Sequence, residues 1–274
     1  MTEIDPTARI GAGAILGQRV SIGPYCVVGP DVILGDDCRL VANVHVAGHT
    51  RIGSGTVVHP FASLGGPPQS IAYRGELTRL EIGADRTIRE SVTMSLGTAG
   101  GGSVTRVGDR GYFMSYSHVA HDCQVGNDAI FANCATLAGH CIVGDHVLIS
   151  GLVAVHQFSR IGSGAMVAGG ANIRGDVIPF GMAAGADGRL NGLNIVGMRR
   201  RNYSAQSIRT ARLAFRKLFY GAGSLPERTD AVESEFGGEV VVAEIVAFLR
   251  VPRQRPLCQP RRLPIGGAVK ETVD

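Results

Sequence analysis

Residues 9–53 read RIGAGAILGQRVSIGPYCVVGPDVILGDDCRLVANVHVAGHTRIG, and an aliphatic side chain recurs at every sixth position: Ile10, Leu16, Ile22, Val28, Leu34, Leu40, Val46 and Ile52. The series continues through Val58 and Leu64, resumes at Ile82, Ile88 and Met94, and runs again from Val107 to Ile173. A period of six fits neither a helix face nor simple strand alternation unless the chain turns at regular intervals. A parallel β-helix of hexapeptide repeats supplies those turns, with three short strands per coil and one inward aliphatic per strand. Stacked coils then share a continuous core along the axis. An α/β fold also has apolar strands, but it does not hold one phase over 55 residues. The next residue is mostly small (Gly11, Gly17, Gly23, Gly29, Gly35), which suits tight corners because glycine reaches positive φ without steric cost.

The repeat phase sets the organisation. An all-β solenoid is expected over 1–190, interrupted by two insertions, GGPPQSIAYRGELTR at 65–79 and SLGTAGGGSVTR at 95–106. Insertions of this kind loop out from one face of a solenoid, often the binding face. From Ser204 the apolar spacing turns helical, with Ile208, Leu213, Leu218 and Phe219, and a second helix is expected over about 229–250 with Val232, Val240, Val241, Ile245 and Phe248. Residues 191–250 therefore read as a small C-terminal helical domain, and 251–274, rich in Arg and Pro, as a poorly ordered tail.

Composition excludes several classes. No stretch approaches the roughly 20 apolar residues of a membrane span, and the N-terminus MTEIDPTARIGAG lacks a basic region followed by an apolar run. The cytoplasm is the expected location. The six cysteines lack Cys-x-x-Cys spacing and read as reduced structural thiols. The net charge is only +4, yet Arg199, Arg200, Arg201, Arg209, Arg212, Arg216 and Lys217 cluster where the helical part begins. That cluster is either a solvated helix face or a docking surface for an acidic partner or phosphates. No aromatic interleaving or motif points to nucleic acid.

Histidines gather at 118, 121, 140, 146 and 156. A coil repeat of about 18 residues would bring His121, His140 and His156 near one edge. The string SHVAHDC, 117–123, places Asp122 directly after His121. A histidine with a carboxylate partner is a suitable general base near neutral pH, because the partner fixes the tautomer and stabilises the imidazolium. The backbone N–H of Gly139, in TLAGHC, is a candidate oxyanion donor because glycine allows close approach.

The strings NVHVAGHTRIG, GELTRLEIGADRTIRESVTM, SHVAHDCQVGN, NCATLAGHCIVGD, AVHQFSRIG and NIVGMRRRNYS together resemble the UDP-N-acetylglucosamine 3-O-acyltransferases of lipid A biosynthesis, over roughly residues 5–250. The resemblance implies a left-handed β-helix and a homotrimer with active sites between adjacent subunits. It implies transfer of an R-3-hydroxyacyl chain from acyl carrier protein to the glucosamine 3-hydroxyl. No cofactor of the chain's own is implied, the 4′-phosphopantetheine arriving on the carrier protein, and no metal. By position, His121 matches the general base, Asp122 its acidic neighbour and Gly139 the oxyanion donor. His118, His140 and Gln157 match residues lining the sugar-nucleotide or acyl site. Asn194, Arg200 and Arg201 match residues reaching uridine or phosphate from a neighbouring subunit, and Gly169 matches the ruler at the end of the acyl groove.

Departures from the family pattern fall in the insertions. Gln69-Ser70-Ile71-Ala72 stands where Gln-Asp-Leu-Lys is usual, and Thr93-Met94-Ser95-Leu96-Gly97-Thr98 where Thr-Ile-His-Arg-Gly-Thr is usual. Ser70 and Ser95 thus replace a carboxylate and an imidazole, and Val196 stands where an acid is common. An acyltransferase with another acceptor, such as a 3-amino sugar nucleotide, remains an alternative. So do a γ-type carbonic anhydrase, although His118 and His121 are spaced unlike its zinc ligands, and a non-catalytic scaffold.

Overall fold

A computed structural model describes residues 2–260. Short strands, most of two residues, stack into three sheets that the chain visits in turn. The first sheet has eleven strands, from Glu3–Ile4 to Arg189–Leu193; the second has nine, from Arg9–Ile10 to Asn172–Ile173; the third has eight, from Ile15–Leu16 to Arg160–Ile161. All pairings are parallel except the last in the first sheet, where Gly181–Ala184 meets Arg189–Leu193. The register survives both interruptions: Val57 pairs with Thr87 and Thr87 with Tyr112, always keeping the aliphatic neighbour inward.

The inward residues form one core. Val28, Val46, Leu64, Met94, Val119, Leu137, Val155 and Ile173 stack beneath the second sheet, each almost fully buried. Burying one such side chain contributes about 2 kcal/mol, so the repeat itself is the main source of stability. A charged side chain, that of Arg86, enters this core. Arg86 crosses the space left by the missing side chain of Gly111 and donates Nη2–H to the carbonyl of Gly126 at 3.0 Å.

The glycines after each inward aliphatic have a different use from the one the sequence suggested. Left-handed φ values fall two residues later, mostly on non-glycine residues such as Arg19, Tyr25, Asp37 and Asn43. Gly17, Gly23 and Gly53 instead let neighbouring coils approach: a Cβ on Gly23 would lie 1.8 Å from the carbonyl oxygen of Val41.

Three corners connect the sheets, and both insertions leave from the corner between the second and third. The first lies between strands Ser63–Gly66 and Arg79–Ile82, the second between Thr93–Ser95 and Val104–Val107. These strands extend into the segments read as loops, pairing Gly66 with Ser95 and Arg79 with Val104.

The C-terminal part differs in detail from the sequence reading. Helices α1 (Ile195–Arg200), α2 (Ala205–Tyr220), α3 (Leu225–Phe236) and α4 (Val240–Arg250) follow the solenoid. The single helix expected over 229–250 is two helices, because Gly237 and Gly238 end α3. Ser224 starts α3 with a capping box to Glu227. Residues 251–260, expected to be a poorly ordered tail, return to the last coil. Pro256 and Cys258 bracket Asp176 in backbone hydrogen bonds, and Leu257 is buried. Asp176 in turn accepts from the backbone N–H and the Nε of Arg160, both at 2.8 Å. Satisfying these buried polar groups is what holds the segment. Residues 261–274 lie outside the described residues.

Candidate active site

The corner that emits both insertions also carries the histidines. His121, Gly139 and Gln157 form one column of that corner, and Asp122, His140 and Phe158 form the next. The ladder is direct: His140 N–H donates to the carbonyl of His121 at 3.0 Å, and Phe158 N–H to that of Gly139 at 3.1 Å. Asp122, His140 and Phe158 all adopt left-handed φ, between 60° and 66°. The turn points their side chains out of the coil on the same edge. His121 meets His140 edge-on at 5.0 Å, and His140 stacks on Phe158 at 4.5 Å. His156 does not join them; it is exposed, with Nδ1 3.2 Å from the carbonyl of Gln157.

Asp122 is the organising group. Its carboxylate is buried and accepts from Thr98 twice, from N–H at 2.8 Å and from the hydroxyl at 2.6 Å. Its Oδ2 also lies 2.8 Å from His121 Nδ1. Thr105 fixes the backbone by accepting Asp122 N–H at 2.8 Å. A Cβ on Gly101 would lie 2.0 Å from the carboxylate carbon, so only glycine lets the second insertion close over it. A carboxylate facing His121 Nδ1 requires a proton there, which leaves Nε2 with its lone pair directed at the cleft. Gly139 lies directly against this ring: a Cβ there would sit 2.7 Å from Nε2. The ladder at this corner uses the N–H of His140 and leaves that of Gly139 out.

Burial depresses the basicity of two more histidines. His118 is pushed below the usual imidazole range by desolvation, against a hydrogen bond with the Thr93 backbone, and its Nδ1 lies 2.7 Å from the Thr93 hydroxyl. His140 is lowered by the same cause, only partly opposed by Asp122. Both are therefore neutral near pH 7. The side chains of His121, Asp122 and His140 lie close enough to share a metal ion. The carboxylate, however, already takes three hydrogen bonds from Thr98 and His121, so the trio fits a hydrogen-bonded dyad better than a ligand set.

An open cleft of about 870 Å³ lies over this corner. The first insertion contributes Ser70, Ala72, Tyr73 and Glu76, the second Thr98 to Gly102, and the coils His121, Asp122, His140 and Phe158. Other expected residues lie elsewhere. Ser95 is buried in its strand, and Gln157 is exposed beside the cleft, its carbonyl accepting from Arg255 at 2.8 Å. Gly169 sits on the corner between the first and second sheets, exposed. Asn194 caps α1, accepting Gly197 N–H at 2.9 Å and donating to the carbonyl of Gly164 at 3.0 Å. Arg201 is held nearby between the rings of Phe180 and Tyr203, and Arg200 is exposed. Gly164 and Phe180 mark the corner between the third and first sheets, so these residues and His121 occupy different edges of one chain.

Sequence reading missed Thr98, Thr105, Phe158 and Gln254. Phe158 was accessible as the next member of the column after Asp122 and His140. Thr98 was not, because an insertion has no period from which to place it.

Residues 176–258 match the second domain described for Udp N-acetylglucosamine O-acyltransferase, and residues 13–48 match the bacterial transferase hexapeptide repeat. The acyl-[acyl-carrier-protein]–UDP-N-acetylglucosamine O-acyltransferase of Azorhizobium caulinodans is 51% identical over 94% of this chain and 96% of its own. That of Rhizobium johnstonii is 44% identical over 94% and 95%. Among solved structures, the UDP-N-acetylglucosamine acyltransferase of Bacteroides fragilis superposes with a TM-score of 0.89 at 34% identity, covering 93% of this chain and 99% of that one. The Arabidopsis enzyme does so with 0.82 at 30%, covering 93% and 100%. The chain belongs to the UDP-N-acetylglucosamine O-acyltransferase family.

Proposed function

We propose that this protein transfers an R-3-hydroxyacyl chain from acyl carrier protein to the 3-hydroxyl of UDP-N-acetylglucosamine, the first step of lipid A biosynthesis. The observation that carries the reading is the His121–Asp122 pair, clamped by Thr98 and lying against Gly139 at the floor of the cleft. His121 Nε2 removes the hydroxyl proton as the oxygen attacks the thioester carbonyl. The tetrahedral oxyanion takes the Gly139 N–H, and as it collapses the C–S bond breaks and the proton passes from His121 to the departing thiolate. Asp122 steadies the imidazolium between these steps. In this reading His140 and Ser70 line the substrate path with the base, and His118, Gln157 and Ser95 flank it. The chain needs no cofactor of its own, since 4′-phosphopantetheine comes with the donor, and no metal.

The same reading makes the solenoid left-handed and the protein a homotrimer. Support for the trimer is geometric: Asn194, Arg200 and Arg201 lie on one edge, Gly169 on a second and His121 on a third. A site that uses them all must be completed by neighbouring copies. Gly169 would then leave the end of the acyl groove open for longer chains. All six cysteines are free thiols, which suits the reducing cytoplasm, and no helix among the described residues is long and apolar enough to cross a membrane.

One observation favours a variant of this reading. Ser70 and Ala72 line the cleft where the family pattern has an acid and a base. An acceptor bearing a 3-amino group, which needs less help from a base, fits that loss. Mass spectrometry of products from purified protein, offered acyl carrier protein thioesters with hydroxyl and 3-amino sugar nucleotides, tests both. An O-acylated product supports the first reading, an N-acylated product the second, and no product from either sinks acyl transfer. Light scattering should give three copies of the 28.7 kDa chain; a monomer at micromolar concentration would defeat the shared site.

A further inference from the structure

The segment after α4 reaches the cleft. Gln254 is one of its lining residues, and Arg255 follows directly. Arg255 donates Nε–H to the carbonyl of Gln157 at 2.8 Å, and its guanidinium carbon lies 6.0 Å from the centre of the Phe158 ring. That ring stacks on His140 with an interplanar angle of 8°, and His140 meets His121. The arginine is thus fixed at the edge of the cleft, two rings away from the base.

The acids of the cleft are engaged elsewhere: Glu76 accepts from the backbone N–H of Arg74 at 2.9 Å. Arg106, the other arginine at the cleft, is committed to Glu81 at 2.8 Å. Asp122 is occupied by Thr98 and His121. Arg255 makes no ion pair with any described residue, and its hydrogen bond uses Nε, which leaves the paired Nη donors for something else. Nor is the side chain needed to hold the segment. Backbone bonds of Pro256 and Cys258 to Asp176, the bond from Leu190 N–H to the carbonyl of Gln259, and burial of Leu257 do that. A half-buried guanidinium, oriented by a carbonyl and a ring and carrying a free fork of donors, is suited to a phosphate oxyanion.

We propose that Arg255 is a phosphate-binding residue of the cleft, presented by the C-terminal segment and oriented by Gln157 and Phe158. The inference rests on the proposed function in one respect: both substrates named there carry phosphate, as a nucleoside diphosphate or as the phosphodiester of the carrier's pantetheine arm.

Calorimetric titration of the full chain with UDP-N-acetylglucosamine and, separately, with pantetheine 4′-phosphate tests it in wild type, Arg255→Ala and Arg255→Lys. Loss of one phosphate contact should weaken one probe about tenfold in the alanine variant, with partial recovery in the lysine variant and an unchanged melting temperature. Which probe weakens identifies the source of the phosphate. In the transfer assay the KM of that substrate should rise while kcat holds. Equal affinities in wild type and Arg255→Ala for both probes overturn the proposal. So does failure of the wild type to bind either probe, or a loss that lysine does not rescue and that accompanies a lowered melting temperature. Binding without acyl transfer in the wild type would strike the proposed function and leave Arg255 standing.

Discussion

The same corner of the solenoid pairs histidine with aspartate in its early and in its later coils. In the amino-terminal coils His49 Nδ1 lies 4.0 Å from Asp31 Oδ1, with side chains 45% and 51% exposed. In the later coils His121 Nδ1 lies 2.8 Å from Asp122 Oδ2, with 15% and 0% exposed. The corner and the residue types are shared; the spacing is not, since Asp31 and His49 face each other from successive coils while His121 and Asp122 are chain neighbours, and neither is the cover. The second insertion places Thr98 on the carboxylate and Gly101 against it, and the coil beyond adds His140 and Phe158. Around Asp31 and His49 no such cover is built, and water screens the pair to about 0–1 kcal/mol. A pair of titratable side chains on a repeat corner becomes a site only when an insertion removes water and fixes one tautomer.

The largest test of that contrast is to delete each histidine. His121→Ala should lower kcat by about 100-fold or more with little change in sugar-nucleotide affinity, whereas His49→Ala should leave kcat unchanged. Similar losses in both variants would break the comparison. Near-normal turnover in His121→Ala would assign the base elsewhere. Gly139→Ala comes next. Its Cβ would lie 2.5 Å from His121 Cε1, so the ring must move. A kcat loss of about 10- to 100-fold is expected, since misplacement by about 1 Å costs that much. A crystal structure of the variant with an unmoved imidazole and full activity would remove Gly139 from the site.

How far these features were legible in the sequence follows from what repeats. The six-residue period from Ile10 to Ile173 carried the solenoid, and the coil repeat of about 18 residues brought His121 and His140 to one edge, but it grouped His156 with them, which the structure leaves outside. The cover over Asp122 was illegible, because residues 96–103 obey no period and their closure depends on a single glycine contact at Gly101. The return of residues 251–260 was likewise hidden. Arg and Pro composition resembles that of a tail, and nothing local announces that Pro256 and Cys258 will bracket Asp176. The left-handed corner residues were misassigned because glycine is the usual choice for positive φ, yet here the glycines are required by the approach of neighbouring coils.

A smaller effect isolates the cover itself. Thr98→Val removes the hydroxyl from Asp122 while keeping shape and the backbone donor. We expect kcat to fall about 10-fold and stability to drop by about 1 kcal/mol, the ordinary contribution of one hydrogen bond. Thr98→Ser should restore most of the activity. If Thr98→Val loses stability without activity, the insertion is a structural lid and the contrast between the two pairs must be explained by burial alone.

The smallest effect separates burial from charge pairing. His118 is buried beside Thr93, and desolvation lowers its pKa from the usual 6.5. A base whose folded pKa lies below its unfolded value binds protons less readily when folded. Above pH 6.5 neither state is protonated and the group contributes no pH dependence. As the pH falls through 6.5 the unfolded chain takes up the proton first, so stability declines until the folded pKa is passed. His118→Asn, which keeps a polar partner for Thr93 and cannot titrate, should therefore melt with a shallower decline between about pH 6.5 and pH 5 than the wild type. Parallel melting curves for His118→Asn and wild type across that range would show that the second sheet accommodates imidazolium without cost, and that the later coils differ from the early ones in hydrogen bonding and not in desolvation.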